Sequence, residues 1–222
     1  MPGTESLMTN RTGPLLQLAI DCLTTGEALT ILDEAYPCFD IAEVGTPLLV
    51  EEGLSALEAL QSRHGDKQYL ADTKIMDGGR IEACSAFRRG ADLATVLAVA
   101  DDVTIREALD AAREQRGQVM VDLINAPDPV ERARQLEQMG AEILCLHTAY
   151  DLPSAEVDSL ADLERTRRSV SCTLAIAGGI DLDRTNAAME RGADIIIVGG
   201  AITNHPDRRE AASAIYELLK RS

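Results

Sequence analysis

Gln68-Tyr-Leu-Ala-Asp72-Thr-Lys74-Ile-Met-Asp77-Gly-Gly-Arg80-Ile-Glu-Ala-Cys-Ser-Ala-Phe-Arg-Arg89-Gly-Ala-Asp-Leu93-Ala-Thr-Val-Leu97 holds one full period of the pattern that runs through this chain. The apolar run Gln68–Lys74 reads as a strand, and the charged amphipathic stretch Arg80–Arg89 reads as a helix. Gly90 closes that helix, and a second apolar run, Leu93–Leu97, follows at once. Two acids and a lysine stand at the end of the first run, directly before a glycine pair. On a strand Asp72 and Lys74 lie two residues apart and share a face, while Asp77 falls in the loop or helix start beyond it. An acid-lysine-acid cluster can steer protons or hold a metal, and its surroundings decide which.

The same period repeats along the chain. Apolar runs at Leu15–Asp21, Phe39–Val44, Gln68–Lys74, Leu93–Leu97, Gln118–Ile124, Ile143–His147, Thr173–Ala177 and Ile195–Val198 read as strands. Helical patterns follow at Gly26–Ala35, Glu51–Arg63, Arg80–Arg89, Val103–Gln115, Pro129–Met139, Ser159–Ser169, Asp183–Arg191 and Arg208–Lys220. Eight βα units in a chain of this size predict an α/β fold, a single (β/α)8 TIM barrel over residues 14–222. A doubly wound open sheet is disfavoured, because no G-x-G-x-x-G follows the first strand. The phrases Arg89-Gly-Ala-Asp, Met139-Gly-Ala-Glu and Arg191-Gly-Ala-Asp recur between helix and strand, where glycine supplies a left-handed cap. Their expected role is structural.

Composition agrees. The 222 residues suffice for one large core, and with 45% hydrophobic but only 3% aromatic residues that core must come from Ala, Leu, Ile and Val, as in strands buried on both faces. A formal net charge of −16 argues against nucleic acid or an anionic membrane as partner. A phosphorylated substrate remains compatible, because backbone N–H groups can bind an anion locally. The five cysteines are odd in number, widely spaced and without C-x-x-C, which reads as reduced thiols of a cytoplasmic protein. Residues 1–13 lack the apolar stretch of a signal peptide and read as a flexible N-terminal extension, and no segment has the length of a membrane span.

In such a barrel, inward residues at the C-terminal strand ends surround the active site. Counting by twos brings Asp21, Glu43, Asp72 with Lys74, Asp122 and His147 to one rim, while Ile20, Val44, Val121 and Leu146 turn toward the helices. One carboxylate or histidine there has an ordinary structural explanation; polar residues from five strand ends do not. Glu43 and Asp72 are hard oxygen ligands suited to Mg²⁺, with positions left for substrate oxygens. Lys74, flanked by Asp72 and Asp77, is expected to stay protonated and stabilise developing negative charge, and His147 suits proton transfer near neutrality. Asp21 is placed to orient Lys74 or a substrate hydroxyl. Gly178-Gly179 and Gly199-Gly200 end the last two strands, where barrels bind phosphate through main-chain N–H groups. His205 reads as a surface residue beside a helix cap, and His64 as a helix end.

Taken together, Leu16-Gln-Leu-Ala-Ile-Asp, Val44-Gly-Thr-Pro, Ala71-Asp-Thr-Lys-Ile-Met-Asp, Val121-Asp-Leu-Ile-Asn, His147-Thr-Ala-Tyr-Asp, Ala177-Gly-Gly-Ile and Val198-Gly-Gly-Ala-Ile-Thr carry a resemblance that covers nearly everything from Leu15 onward. The chain resembles the 3-hexulose-6-phosphate synthases of the orotidine 5′-monophosphate decarboxylase superfamily. That resemblance implies an aldolase joining formaldehyde to D-ribulose 5-phosphate through a Mg²⁺-stabilised enediolate, giving D-arabino-hex-3-ulose 6-phosphate. It also implies a homodimer in which Asp77 reaches the neighbouring subunit's site. The 3-keto-L-gulonate-6-phosphate decarboxylases share the scaffold, but they typically carry arginines after the strand-six histidine and beside the final glycine, where this chain has Thr148-Ala149-Tyr150 and Gly200. Ile75 after the lysine is the more decarboxylase-like feature. A ribulose-phosphate epimerase-like isomerase would need several strand-end histidines for its metal, and this chain has only His64, His147 and His205. A non-catalytic phosphosugar-binding barrel would be expected to lose part of the acid-lysine-acid set, which is intact.

Overall fold

Eight parallel strands close into a barrel in chain order in the computed structural model, which describes residues 13–152 and 159–221. They are β1 (Leu15–Ile20), β2 (Ile41–Val44), β3 (Gln68–Ile75), β4 (Leu93–Leu97), β5 (Gln118–Asp122), β6 (Ile143–His147), β7 (Thr173–Ala177) and β8 (Ile195–Val198). Around them run α1 (Thr25–Ala35), α2 (Thr46–Glu52), α3 (Ser55–Arg63), α4 (Gly79–Arg88), α5 (Asp102–Gln115), α6 (Pro129–Gln138), α7 (Ser159–Arg167), α8 (Leu182–Glu190), α9 (Gly200–Thr203) and α10 (Arg208–Lys220). The expected extension, Gly13 apart, lies outside the described residues. Among the described residues no helix is long and apolar enough to cross a membrane.

Strand alternation divides the core in two. Leu15, Ile41, Leu70, Leu93, Met120, Ile143 and Ile195 fill the barrel interior. The alternate positions, among them Ile20, Val44, Val121 and Leu146, pack against the helices as expected. Each such fully buried Leu or Ile contributes about 1.5–3 kcal/mol relative to exposure. Small residues dominate the helix faces turned to the sheet, with Ala108, Ala111 and Ala112 on α5 as an example, so the helices sit close.

Glycines in the repeated Gly-Ala-Asp/Glu phrases adopt the left-handed conformation, with φ +99° at Gly90, +91° at Gly140 and +87° at Gly192. The aspartates of those phrases have a further use. Asp92 accepts the Tyr69 N–H at 2.8 Å and Asp194 the Leu174 N–H at 2.8 Å, so each bonds the start of the preceding strand. Asp40 treats Leu16 in the same way at 3.0 Å. These bonds satisfy strand-start donors at the end of the barrel opposite the C-terminal rim that carries Asp72 and Lys74.

Two local expectations are corrected. The single helix expected over Glu51–Arg63 is two, because Gly53 at φ +66° ends α2 and α3 restarts at Ser55, while α2 itself begins earlier, at Thr46. Strand β3 is not regular. Its register against β4 passes from Ala71↔Ala94 to Ile75↔Val96, so four steps on β3 match two on β4, and Lys74 sits in this bulge at φ +45°.

Candidate active site

The bulge determines where the motif's side chains go. Asp72 and Lys74 meet as an ion pair at the C-terminal mouth of the barrel. Asp72 is only 4% exposed, and its carboxylate is surrounded by donors. Thr95 Oγ1 donates to Oδ1 at 2.8 Å, and Thr46 Oγ1 donates to Oδ2 at 2.7 Å. Burial works to raise the Asp72 carboxyl, but the Lys74 charge and the hydrogen bonds from Lys74, Thr46 and Thr95 outweigh it and hold it below the usual carboxylate range. Burial likewise works to lower the Lys74 ammonium. Asp72, then Asp122 and Glu43, reverse that and keep it protonated.

On the far side of Lys74, Asp122 Oδ2 lies 4.0 Å from Nζ and 2.8 Å from His147 Nδ1. The other oxygen of Asp122 accepts the Ile124 N–H at 2.9 Å, which fixes the carboxylate at the end of β5. A carboxylate only accepts, so Nδ1 is the ring nitrogen that donates to Asp122, and the tautomer this favours presents Nε2 on the other side of the ring. Glu43, at the end of β2, receives a 2.6 Å hydrogen bond from Gln17 Nε2. Burial, followed by the charge of Asp72, pushes the Glu43 carboxyl well up. Asp21 stands at the solvent-open rim. The protein around it and the charge of Asp72 raise its carboxyl, against Lys74 and His147. Gly45 makes its place possible, since a Cβ there would sit 2.1 Å from Asp21 Oδ1.

Glu43, Asp72, Lys74, Asp122 and His147 therefore come together as the strand-end count expects, and Asp21 joins them through its charge. Within this chain, Lys74 is flanked by Asp72 and Asp122 rather than by Asp72 and Asp77. The chain leaves β3 at Ile75 and turns through Gly78 at φ +63°, so Asp77 is exposed beyond the mouth and accepts the Gly78 N–H at 2.7 Å. Gln17, Thr46, Thr95 and Gly45 also shape the site without standing in the acid-lysine-acid motif. Gln17 and Thr95 had a visible signal, a polar residue at an inward position of an otherwise apolar strand.

Strands β7 and β8 pair through Ala175↔Ile195 and Ile176↔Ile196, and Gly178-Gly179 and Gly199-Gly200 follow directly after their C-terminal ends. Gly178, at φ +93°, lies so close to β6 that a Cβ would come within 2.2 Å of the Thr148 carbonyl oxygen. Gly179, at φ +64°, faces open space. Gly199 precedes the short helix α9, which Gly200 begins, and at Gly200 a Cβ would meet the Asn204 amide at 3.1 Å. His205 lies at the cap of α10, with Nδ1 against the Asp207 carbonyl, and His64 ends α3, both away from the mouth.

The described family model for orotidine 5′-phosphate decarboxylase / HUMPS proteins matches residues 14–215. The 3-hexulose-6-phosphate synthase of Bacillus subtilis is 38% identical over 205 residues, 92% of this chain and 98% of that protein. The crystal structure of 3-hexulose-6-phosphate synthase from Salmonella typhimurium is 40% identical with a TM-score of 0.90, covering 93% of this chain and 99% of that one. The 3-keto-L-gulonate-6-phosphate decarboxylase of Vibrio cholerae is more distant, at 27% identity and a TM-score of 0.84, with 95% of this chain and 99% of that one covered.

Proposed function

This chain belongs to the orotidine 5′-phosphate decarboxylase / HUMPS family, and from that premise we propose that it is an aldehyde-lyase, an aldolase that condenses formaldehyde with D-ribulose 5-phosphate to D-arabino-hex-3-ulose 6-phosphate. The synthase relatives support this choice over the decarboxylase, as do Thr148-Ala149-Tyr150 and Gly200 in the stretches where decarboxylases typically carry arginine. The observation that carries the reading is the continuous set Asp72, Lys74, Asp122 and His147, a fixed cation beside an oriented base.

His147 Nε2 removes the C1 proton of ribulose 5-phosphate, and the Lys74 ammonium stabilises the negative charge that spreads over the enediolate oxygens. C1 then attacks the formaldehyde carbon, and the oxygen of the former aldehyde takes the proton back from His147. Asp122 holds His147 in the required tautomer, while Asp72 holds Lys74 in place and in charge. Gly178, Gly179, Gly199 and Gly200 receive the phosphate group through main-chain N–H groups, without a basic side chain.

The residues fit Mg²⁺. Glu43, Asp72, Asp122 and Asp21 place four carboxyl groups around one lysine, and burial and Asp72 drive the Glu43 carboxyl upward in spite of Lys74 and the Gln17 hydrogen bond. Glu43 and Asp72 would hold the ion. Among the described residues no group of three or more acidic, histidine or cysteine side chains is arranged to hold a metal ion, so the two carboxylates would need substrate and water oxygens for the other positions. When bound, Mg²⁺ supplies Lewis-acid stabilisation of the substrate's oxygens.

The free cysteines support a cytoplasmic site of action. Exposed Met76, next to Asp77 in the loop before α4, and exposed Ile81 and Val103 on the packed α4 and α5 pair support a homodimer in which Asp77 reaches the partner's site. A product assay tests the whole reading. Hexulose phosphate should form only when formaldehyde and ribulose 5-phosphate are both present, stop on chelation and return with Mg²⁺. Full turnover by the chelated protein would remove the metal role, and carbon dioxide release from 3-keto-L-gulonate 6-phosphate in place of aldol product would replace the reaction.

A further inference from the structure

We propose that Thr95 is a positioning residue for this reaction, its single hydroxyl setting the places of both Asp72 and Lys74. It stands on β4 opposite the β3 bulge, where the backbone ladder between the two strands skips from Ala71↔Ala94 to Ile75↔Val96. The Thr95 side chain takes over the pairing that the ladder omits there. Its Oγ1 accepts the Lys74 backbone N–H at 2.8 Å, so its own hydrogen is left to donate, and it goes to Asp72 Oδ1 at 2.8 Å. The Thr73 hydroxyl closes the arrangement by donating to the Thr95 carbonyl at 2.8 Å.

Each feature of the site needs this connection. Lys74 has φ +45°, a conformation that a residue with a Cβ adopts only where its surroundings hold it, and the hydrogen bond to Thr95 is a direct hold on that backbone. Asp72 has two carboxylate oxygens to direct. Thr46 reaches one and Thr95 the other, which sets the plane of the group and so the direction in which Lys74 is drawn. Thr95 is itself rigidly placed. It is 4% exposed, and β4 pairs with β5 in unbroken register from Leu93↔Gln118 to Leu97↔Asp122. That register also ties Thr95 to Asp122, two residues along the neighbouring ladder from its own partner Met120, so one platform carries Asp72, Lys74 and the carboxylate that orients His147.

The inference rests on the aldolase reading of the site, and the test separates the two. Thr95→Val keeps the shape and removes the hydroxyl, Thr95→Ala does so without adding a methyl, and Thr95→Ser keeps the hydroxyl. Melting is recorded for each variant, followed by kcat and KM for ribulose 5-phosphate and by solvent-deuterium exchange at its C1. A displacement of reacting groups by about 1 Å costs on the order of 100-fold, so the folded Val and Ala variants should lose about 10- to 100-fold in kcat and in exchange. KM should stay within about threefold, because Thr95 serves the reacting groups and not the phosphate cradle, and the Ser variant should recover most of the lost rate. A folded Val or Ala variant with wild-type kcat overturns the inference, as does a Ser variant as slow as the Val one. A wild-type protein that exchanges the C1 proton yet makes no hexulose phosphate overturns the aldolase reading instead, and exchange then still reports on Thr95.

Discussion

His147 is useful only in company. A solvent-exposed imidazole at the mouth could present either nitrogen, but the 2.8 Å bond to Asp122 commits Nδ1 and leaves Nε2 for the proposed proton transfer. The expected consequence is that His147→Asn binds ribulose 5-phosphate almost as before and exchanges its C1 proton slower by about 10²-fold or more, the range of a lost general base. Proton NMR in deuterium oxide, without formaldehyde, reads this directly, since in the proposed mechanism proton removal needs no aldehyde. Undiminished exchange would move the base to Asp72 or Asp77.

Elements are fastened by ion pairs whose strength varies with pH. Asp33 on α1 receives two hydrogen bonds from Arg63, at 2.9 and 2.7 Å, and lies 2.7 Å from His64 Nε2 at the end of α3. The Arg63 hydrogen bonds, helped by His64, hold the Asp33 carboxyl down to about 2. A depressed folded value means that the contact stabilises the protein above the ordinary value near 3.8 and that this contribution is lost as pH falls through about 2. Asp33→Asn should therefore lower the melting temperature at pH 6 by about 2 °C, a size limited by solvent screening of a partly exposed pair. The difference should vanish near pH 2. An equal difference at both pH values would mean that packing, not charge, joins α1 to α3. The elements themselves were legible in the strand alternation and helix caps. Gly53 and the β3 bulge were not, because a lone glycine is often tolerated in a helix and Lys74 gives no local sign that its φ must be positive.

At the scale of the molecule, the net charge of −16 opposes association of two copies, so a dimer must bury apolar surface to form. Ile81 and Val103 are 73% and 67% exposed on neighbouring helices, close in sequence to Asp77 and to the cap of α5. If the proposed dimer forms through this surface, replacing both by glutamate should yield a monomer in sedimentation velocity and lower kcat about tenfold or more, since a site that borrows Asp77 would then be incomplete. Salt should tighten the proposed dimer by screening its charge. A dimer that survives both substitutions would place its interface elsewhere, and a monomeric, fully active wild type would leave Asp77 without a role in a neighbour's site.

The sequence alone determined the barrel, because eight apolar runs with intervening amphipathic helices leave one economical closed arrangement, and alternation within each run separates interior from helix-facing residues. It also named the rim residues, since inward position and strand end can both be counted. Only the tertiary structure decided how those residues are connected. Asp122 displaced Asp77 as the second acid beside Lys74 because the bulge turns Lys74 inward while the chain carries Asp77 out to solvent. Gln17, Thr46 and Thr95 gained their roles from neighbours 26, 26 and 23 residues away, at distances that no local pattern encodes and that exist only once the strands lie side by side.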